Sequence, residues 1–262
     1  MMSGLVCAVG AGSGLPTRGD LQFRITAMTS PQLLVHVADG IMAVSLNRPD
    51  KLNAINNELA RALLAAIEQA SRDDAVRVLL LRGKGRAFCA GRDVSAPPTE
   101  DDMVLVQAVA QALVRMPKPV LAAVHGWTVG AGFEWMLNAD IVLAAQSARF
   151  KLPEASLGVF VTGGLTATLP AYAGLARAKA LMLLGEEFSP AQAQAWGLVW
   201  KVVPDAELEA AALQAGTRLA SLAPAVAASF KRVLNEIGLG RFDEALALEN
   251  EVLRALGGRG GT

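Results

Sequence analysis

Three apolar runs that alternate with helical patterns constrain the fold of this sequence more than any other feature. The runs occupy residues 76–83 (VRVLLLRG), 118–126 (KPVLAAVHG) and 139–146 (ADIVLAAQ). Residues 102–115 have helical patterning between the first two runs, and a further helix is expected to start between the last two. Because strands that alternate with helices are typical of βαβ units, the sequence predicts an α/β fold with a parallel sheet.

The flanking segments extend this outline. Residues 33–47 (LLVHVADGIMAVSLN) predict two strands around an Asp39-Gly40 turn, because Asp-Gly is a strong hairpin signal. Residues 56–73 have apolar side chains at helical spacing. Beyond about residue 163 the patterns are helical, apart from a short strand predicted within 198–203. We therefore expect the last third of the chain to form a helical layer suited to subunit assembly.

The balance of charge argues against a polyanionic partner. The 262 residues include 24 basic and 24 acidic side chains, which gives a formal net charge of zero. Extended nucleic-acid surfaces and polybasic membrane surfaces carry excess positive charge, and no apolar run is long enough to span a bilayer. We therefore expect neither a nucleic-acid partner nor a membrane partner.

The cysteines and the termini bear on the cellular setting. Cys7 and Cys89 are the only cysteines, which fits neither a disulfide framework nor a metal-binding cluster, so we expect a reducing cytoplasm and no bound metal. Residues 1–27 lack the basic start of a signal peptide and are interpreted as an N-terminal extension outside the fold. The final GGRGGT is interpreted as a frayed tail.

Two glycine-containing loops follow predicted strands and are candidates for binding a ligand through the main chain. Residues 88–93 (FCAGRD) form the first loop, and residues 130–132 (GAG) form the second. Small residues let a ligand approach backbone N–H groups, and two N–H groups aimed at one oxygen form an oxyanion hole. A turn between a strand and a helix also needs glycine, so an ordinary structural turn remains the alternative at each loop.

Two glutamates are candidates for acid–base chemistry. Glu134 lies in the expected first turn of a helix, between Phe133 and Trp135, where a poorly hydrated carboxylate is costly without a role. Glu154 follows Pro153 in the segment FKLPEASLG. Two carboxyl groups around one water allow one to act as a base while the other stays protonated. The alternatives are a carboxylate that stabilises a helix N-terminus and a surface carboxylate.

Other reactive side chains have less support as catalysts. His36 alternates with valines in a predicted strand and is expected to face outward. His125 ends a strand and is interpreted as a structural histidine. Cys89 has no neighbouring histidine in the sequence to activate it, so a small buried thiol is the favoured interpretation.

Several of these segments, taken in order, resemble the enoyl-CoA hydratase/isomerase (crotonase) superfamily. The resemblance runs from about residue 32 to 255. The segments that carry it are LNRPDKLNAI (46–55), FCAGRDV (88–94), PVLAAVHGWTVGAGFEWMLNADIVLAA (119–145), FKLPEASLG (150–158) and GLVWKVVP (197–204).

The resemblance implies chemistry on a coenzyme A thioester. The two backbone N–H groups that bind the thioester oxygen in this superfamily fall here on Ala90 and Ala131. Hydratases of the superfamily carry two glutamates, which fall on Glu134 and Glu154. Both are present, which favours addition of water across the 2,3-double bond of an enoyl-CoA, or the reverse dehydration. No separate cofactor is expected, since coenzyme A is part of the substrate.

The resemblance also implies substrate contacts and an architecture. The implied fold is α/β, with a crotonase-like ββα spiral core at 28–200 and a C-terminal helical oligomerisation layer at 201–262, which assembles a homotrimer or a hexamer built as a dimer of trimers. The substrate-binding residues are expected to be Lys51, Leu52, Ala54, Gly91, Arg92, Asp93, Val94, Trp127 and Gly130, and Lys51 is placed to approach a phosphate of coenzyme A.

Departures from the hydratase pattern leave other reactions open. Residues 159–166 (VFVTGGLT) replace a Pro-Gly-x-Gly-Gly stretch that lines the acyl pocket in hydratases. A CoA-thioester isomerase, lyase or hydrolase is therefore the first alternative. The second alternative is a non-catalytic binding protein such as an RNA-binding member, but residues 56–74 contain only Arg61 and Arg72 as basic residues, too few for a basic helix.

Overall fold

A computed structural model describes residues 30–95 and 99–257. The predicted N-terminal extension at 1–27, with Cys7, and residues 258–262 of the predicted tail lie outside the described residues. Among the described helices, none is long and apolar enough to cross a membrane.

The strands of the described chain form two sheets. Their bounds are β1 Leu33–Ala38, β2 Ile41–Leu46, β3 Val78–Gly83, β4 Ala87–Cys89, β5 Val120–Val124, β6 Trp127–Val129, β7 Ile141–Ala145, β8 Arg149–Lys151 and β9 Lys201–Val203. The larger sheet has six strands in the order β1-β2-β3-β5-β7-β9. Only β1 is antiparallel to its neighbour in this sheet. The predicted parallel sheet is therefore confirmed.

The predicted hairpin at the start of the sheet is also confirmed. β1 and β2 pair around Asp39 and Gly40, whose φ angles are +50° and +76°. Both residues lie in the left-handed region, which short polar residues and glycine tolerate best.

A second, smaller sheet was missed by the sequence analysis. β4, β6 and β8 pair in parallel, in the order β4-β6-β8. Each strand has three residues, which is too short to give a periodic pattern. β4 therefore overlaps the predicted loop at 88–93, and β6 lies just before the predicted loop at 130–132.

Helices cover the larger sheet on both faces. They are α1 Asn57–Arg72, α2 Glu100–Arg115, α3 Ala131–Leu137, α4 Leu165–Ala173, α5 Leu175–Leu184, α6 Pro190–Ala195, α7 Leu208–Ala220, α8 Pro224–Gly238 and α9 Phe242–Gly257. One face packs against α1, α2, α3 and the small sheet. The other packs against Leu208 and Ala212 of α7. Because β9 and α7 belong to this core, the core extends beyond the predicted boundary at residue 200.

An ion pair between a buried lysine and a partly exposed aspartate attaches α8 to the sheet region. The ammonium group of Lys231 lies 2.9 Å from Oδ2 of Asp140 and donates to the carbonyl of Leu113 at 2.9 Å. Asp140 Oδ2 also accepts from the amide of Val120 at 2.7 Å. A buried charge is tolerated when it is paired and hydrogen-bonded, so this contact fixes α8 beside the start of β5.

Candidate active site

The small parallel sheet brings the candidate site together. The segments that follow its three strands contain Ala90 after β4, Ala131 after β6 and Glu154 after β8. Because the strands are parallel, their carboxyl ends lie at the same edge, which is where ligands bind in open α/β sheets. Residues that are about 40 and 20 positions apart in the sequence are therefore neighbours in space.

Two of these segments touch main chain to main chain. Gly91 has a φ of +89°, and a Cβ placed on it would lie 2.8 Å from the carbonyl oxygen of Val129 and 3.8 Å from the amide nitrogen of Ala131. A side chain at position 91 would therefore clash with the second loop and strain the backbone. Glycine at this position lets the two loops approach each other.

A cavity of about 540 Å³ opens at this edge. Its wall contains both candidate glutamates and both glycine-containing loops, together with apolar side chains from the turn at 157–160, from α2 and from α9. The residues are Ala90, Gly91, Arg92, Val94, Thr99, Met103, Val129, Gly130, Ala131, Glu134, Pro153, Glu154, Leu157, Gly158, Val159, Phe160, Thr162, Leu253 and Leu256.

Glu134 is a buried carboxyl group in the first turn of α3. Only 1% of its surface is exposed. Its Oε1 accepts from the amide of Thr162 at 3.1 Å, and its Oε2 accepts from the hydroxyl of Thr162 at 3.3 Å. Burial, followed by the charges of Glu249 and Glu154, raises the pKa of Glu134 to about 8. The carboxyl group therefore holds a proton at neutral pH.

Glu154 lines the same cavity, just before a 3₁₀ turn at Ala155–Leu157. A Cβ placed on Gly130 would lie 2.6 Å from its Oε1, so glycine leaves room for this carboxyl group. Its Oε2 is buried and has no hydrogen-bond partner in the described part of the chain. Burial raises the pKa of Glu154 as well. A buried oxygen without a partner beside a cavity suits a group that binds water or substrate.

The backbone amides of the two loops differ in availability. Ala131 is the first residue of α3, so its N–H has no partner within the helix. The N–H of Ala90, in contrast, donates to the carbonyl of Leu52 at 3.0 Å. The prediction that the Ala90 amide binds a substrate oxygen is therefore corrected, because this donor is already used within the fold, and Ala90 contributes only to the cavity wall.

Comparisons with known proteins agree with this geometry. The sequence pattern of the enoyl-CoA hydratase/isomerase family matches residues 36–257. The chain belongs to the enoyl-CoA hydratase/isomerase family. It is 39% identical over 235 residues to the 1,2-epoxyphenylacetyl-CoA isomerase of Escherichia coli K12, with 86% of this chain and 90% of that protein aligned. It is 34% identical over 230 residues to the 2,3-dehydroadipyl-CoA hydratase of the same strain, covering 86% of this chain and 90% of that protein.

A solved structure supports the same assignment. The crystal structure of an enoyl-CoA hydratase from Mycobacterium avium subsp. paratuberculosis K-10 superposes with a TM-score of 0.84 at 33% identity, covering 87% of this chain and 94% of that chain. The resemblance found in the sequence is confirmed, and the fold is that of the crotonase superfamily. The chain is therefore a member of an enzyme family whose substrates are acyl-CoA thioesters.

Five predicted substrate-binding residues of this family member do not line the cavity. Lys51 is exposed in a 3₁₀ turn, and Trp127 stacks under the guanidinium group of Arg149 at 5.1 Å. The other three, Leu52, Ala54 and Asp93, lie in the segments that support the first glycine loop. Contacts from Lys51 and Trp127 to coenzyme A stay predictions.

Arg48 explains what these supporting segments do. Its guanidinium group donates to the carbonyl of Ala54 and lies 2.9 Å from Oδ2 of Asp93. Asn53 fixes the same segment, since its amide donates to the carbonyls of Lys84 and Ala87 at 2.8 Å each. The turn after β2 therefore fixes the position of the first glycine loop, at 88–93.

The remaining reactive side chains behave as predicted. Cys89 is buried, and burial raises the pKa of its thiol to about 12, so it stays a neutral packing residue. His125 Nε2 lies 2.9 Å from the carbonyl oxygen of Gly85, which fits a structural role, and His36 is exposed on β1. No group of three or more His, Cys, Asp or Glu side chains able to hold a metal occurs among the described residues.

Sequence reasoning missed the contribution of the later segments. Phe133 and Trp135 are fully buried in the core, where Phe133 packs against Phe150 and Phe188, so the poorly hydrated setting expected for Glu134 is confirmed. The cavity wall takes Leu253 and Leu256 from α9. The helical spacing of Leu253 and Leu256 is visible in the sequence. Their position at the cavity, however, depends on how α9 packs against the rest of the fold.

Replacing Glu134 by glutamine should stabilise the protein at alkaline pH. The folded pKa of about 8 lies above the ordinary value of 4.5, so the folded state binds more protons between these values, and stability falls as pH rises through that window. Glu134→Gln removes this loss. We expect a gain on the order of 5 kcal/mol at about pH 9 and a gain of only about 1 kcal/mol at about pH 5 in urea unfolding.

The matched control for this experiment is Glu186→Gln, which changes an exposed glutamate between α5 and α6. It should leave the free energy of unfolding nearly unchanged at both pH values. An equal gain from Glu134→Gln at both pH values would show that Glu134 does not titrate in this window.

Proposed function

We propose that this protein is an enoyl-CoA hydratase that adds water across the 2,3-double bond of an acyl-CoA thioester, or removes it in reverse. The observation that carries the proposal is the placement of Glu134 and Glu154 on one cavity beside the amide of Ala131. Two carboxyl groups suit the handling of a water and a proton, and the amide suits the thioester oxygen.

The amide of Ala131 is proposed as one donor to that oxygen. The second donor must come from the glycine loop, where Arg92 pairs with Ile55 in a parallel bridge. Ile55 accepts from the amide of Asp93 and donates to the carbonyl of Gly91, each at 2.8 Å. Since successive N–H groups of an extended segment point to opposite sides, the amide of Arg92 points away from Ile55. We therefore infer that Arg92, rather than Ala90, provides the second N–H.

The proposed reaction uses both carboxyl groups in one cycle. The ionised carboxylate accepts a proton from water as the water oxygen bonds to C3. The π electrons move towards the thioester carbonyl, whose oxygen becomes negative and is stabilised by the two amides. The protonated carboxyl group then gives its proton to C2, and the carbonyl reforms. The raised pKa of Glu134, about 8, supports a pair that holds one proton at neutral pH.

The surroundings of the glutamates support an apolar acyl group. A second cavity of about 260 Å³ shares Glu154, Val159 and Phe160 with the first, and apolar residues such as Met182 and Leu183 line it further out. An acyl chain that passes Glu154 would therefore enter an apolar channel.

Isomerisation is the second candidate. The relative with 39% identity is a 1,2-epoxyphenylacetyl-CoA isomerase, and an isomerase also needs an enolate-stabilising site with a residue that moves a proton. A 3-enoyl-CoA distinguishes the two reactions, because an isomerase converts it to a 2-enoyl-CoA without net addition of water. We therefore propose to assay 2-enoyl, 3-enoyl and epoxyphenylacetyl thioesters in parallel.

Each of Glu134→Gln and Glu154→Gln should reduce hydration strongly. Loss of a positioned acid or base costs about 10²–10⁴-fold in kcat, and the amide preserves the size of the side chain. The measurement is the decrease in enoyl-thioester absorbance with the best 2-enoyl-CoA, with Glu186→Gln as the exposed control. Hydration at the wild-type rate by either variant would contradict the two-carboxyl mechanism. If only one of the two variants loses the conversion of a 3-enoyl-CoA, isomerisation is favoured.

Replacing Ala131 by proline should remove one oxyanion donor while preserving the helix. Proline has no N–H and is tolerated at the first position of a helix, which Ala131 occupies. We expect a folded variant that binds CoA thioesters but turns over about 10²–10³-fold more slowly.

Ala131→Gly is the matched control, because it changes the side chain and keeps the N–H. It should retain most of the activity. Full turnover by a folded Ala131→Pro variant, or a complex whose thioester oxygen points away from the amides of Arg92 and Ala131, would argue against the assigned oxyanion hole.

Assembly into a trimer, or into a dimer of trimers, is also proposed. One face of α8 exposes Phe230, Leu234 and Ile237 at 67%, 65% and 81%, and this i, i+4, i+7 spacing forms a continuous apolar stripe. Sedimentation velocity at micromolar concentration should show a trimer or hexamer, and Ile237→Glu should shift the protein towards smaller species. A stable wild-type monomer would refute the proposed assembly.

A further inference from the structure

Glu249, a buried glutamate on α9, lies next to the candidate site but has no role in the proposed reaction. Glu249 has no exposed surface, although it lies on the apolar face of its helix together with Phe242, Leu246 and Leu253. A carboxyl group in such a stripe is costly unless it has specific partners. The partners of Glu249 lie in the loop that follows Thr162.

Glu249 binds the start of α4 through three hydrogen bonds. Its Oε2 accepts from the amide of Gly164 at 2.9 Å. Its Oε1 accepts from the amide of Thr166 at 3.0 Å and from the hydroxyl of Thr166 at 2.7 Å. Burial raises the pKa of Glu249, whereas these three donors lower it and favour the carboxylate, which only accepts. The carboxylate therefore fixes the backbone of this turn.

The same turn holds the carboxyl group of Glu134. Thr162 donates to Glu134 through both its amide and its hydroxyl. A Cβ placed on Gly163 would lie 2.5 Å from Oε2 of Glu134. The carbonyl of Gly163 is fixed by the side-chain amide of Asn138 at 2.9 Å. Residues 162–164 are therefore held on one side by α3 and on the other by Glu249.

We propose that Glu249 is a positioning residue for the reaction: through the turn at 162–166 it fixes the orientation of Glu134, and its negative charge adds to the effect of burial in disfavouring the ionised form of Glu134. This inference rests on the proposed function, in which Glu134 is one of the two reacting carboxyl groups. Glu249 itself lies outside the cavity wall and has no contact with the substrate space.

The charges around Glu134 support the second part of this proposal. Glu249 from α9 and Glu154 from the turn after β8 both raise the pKa of Glu134, and Glu249 has the larger effect after burial. The titratable group from β4 is Cys89, whose pKa of about 12 keeps it neutral. The amides of Thr162 and Gly163 act in the opposite direction and lower the pKa.

The test is a titration of Glu134 in the full-length chain, followed by carboxyl ¹³C NMR, with Glu134→Gln identifying the resonance. Glu249→Gln removes the charge and keeps the size of the side chain. We expect the pKa of Glu134 to fall from about 8 by on the order of one unit, because the lost repulsion outweighs a partial loss of the Thr162 and Gly163 bonds. The control is Glu251→Gln, an exposed position on the same helix, which should leave the titration unchanged.

A second variant tests the positioning role by kinetics. Glu249→Asp keeps the charge but withdraws the carboxylate by one methylene, so the bonds to Gly164 and Thr166 are lost or lengthened. We expect kcat to fall by about 10- to 10²-fold with little change in KM, as for a misoriented reacting group. Glu251→Asp should leave both constants unchanged.

The outcomes separate this inference from the proposed function. An unchanged Glu134 titration in folded Glu249→Gln would overturn the electrostatic role, and an unchanged kcat in Glu249→Asp would overturn the positioning role. If Glu249→Gln does not fold, Glu249→Asp still tests the positioning role. If the wild-type protein turns over no enoyl-CoA, the proposed function fails, while the NMR titration continues to test the link between Glu249 and Glu134.

Discussion

The parallel pairing of three short strands is the constraint on which the site depends. β4, β6 and β8 contribute only three residues each, yet their common direction sends the following segments to one edge. The segments then lie so close together that a Cβ on Gly91 would clash with the backbone of Val129, and a Cβ on Gly130 would displace the carboxyl group of Glu154. The ordering cost of these loops is met by backbone hydrogen bonds and by burial rather than by their own side chains.

Burial of charge gives the site its chemical character. Glu134 is enclosed by the apolar core on one side and by the turn at 162–164 on the other, so its ionised form is disfavoured. Glu154 lies beside the cavity with one oxygen unpaired among the described residues. Buried carboxyl groups reduce the stability of the folded protein, and they occur most often at sites where a proton is transferred. The C-terminal helix α9 takes part in this arrangement through Glu249 and closes the cavity with Leu253 and Leu256.

The length of each pattern in the sequence decided whether it predicted the element that forms there. The hairpin at Asp39-Gly40, the helix at 57–72 and the apolar strands β3, β5 and β7 have strong local signals, and they were predicted. Strands of three residues have no usable period, and they were missed. At the site, the sequence identified both glutamates and both glycine loops. The resemblance to the superfamily placed an oxyanion donor on the Ala90 amide, and the sequence did not show that this amide donates to Leu52, 38 residues earlier in the chain.

The sequence by itself determined the family, the parallel α/β core and the two glutamates of the candidate site, because these depend on residue type and order. Tertiary structure alone decided which backbone amides face the cavity, that Phe133 and Trp135 turn into the core, and that Glu249 lies behind Glu134. These features depend on the direction of individual N–H groups and on how α9 packs against α4. Local patterning records which face of a helix is apolar, but it does not record which partner that face meets.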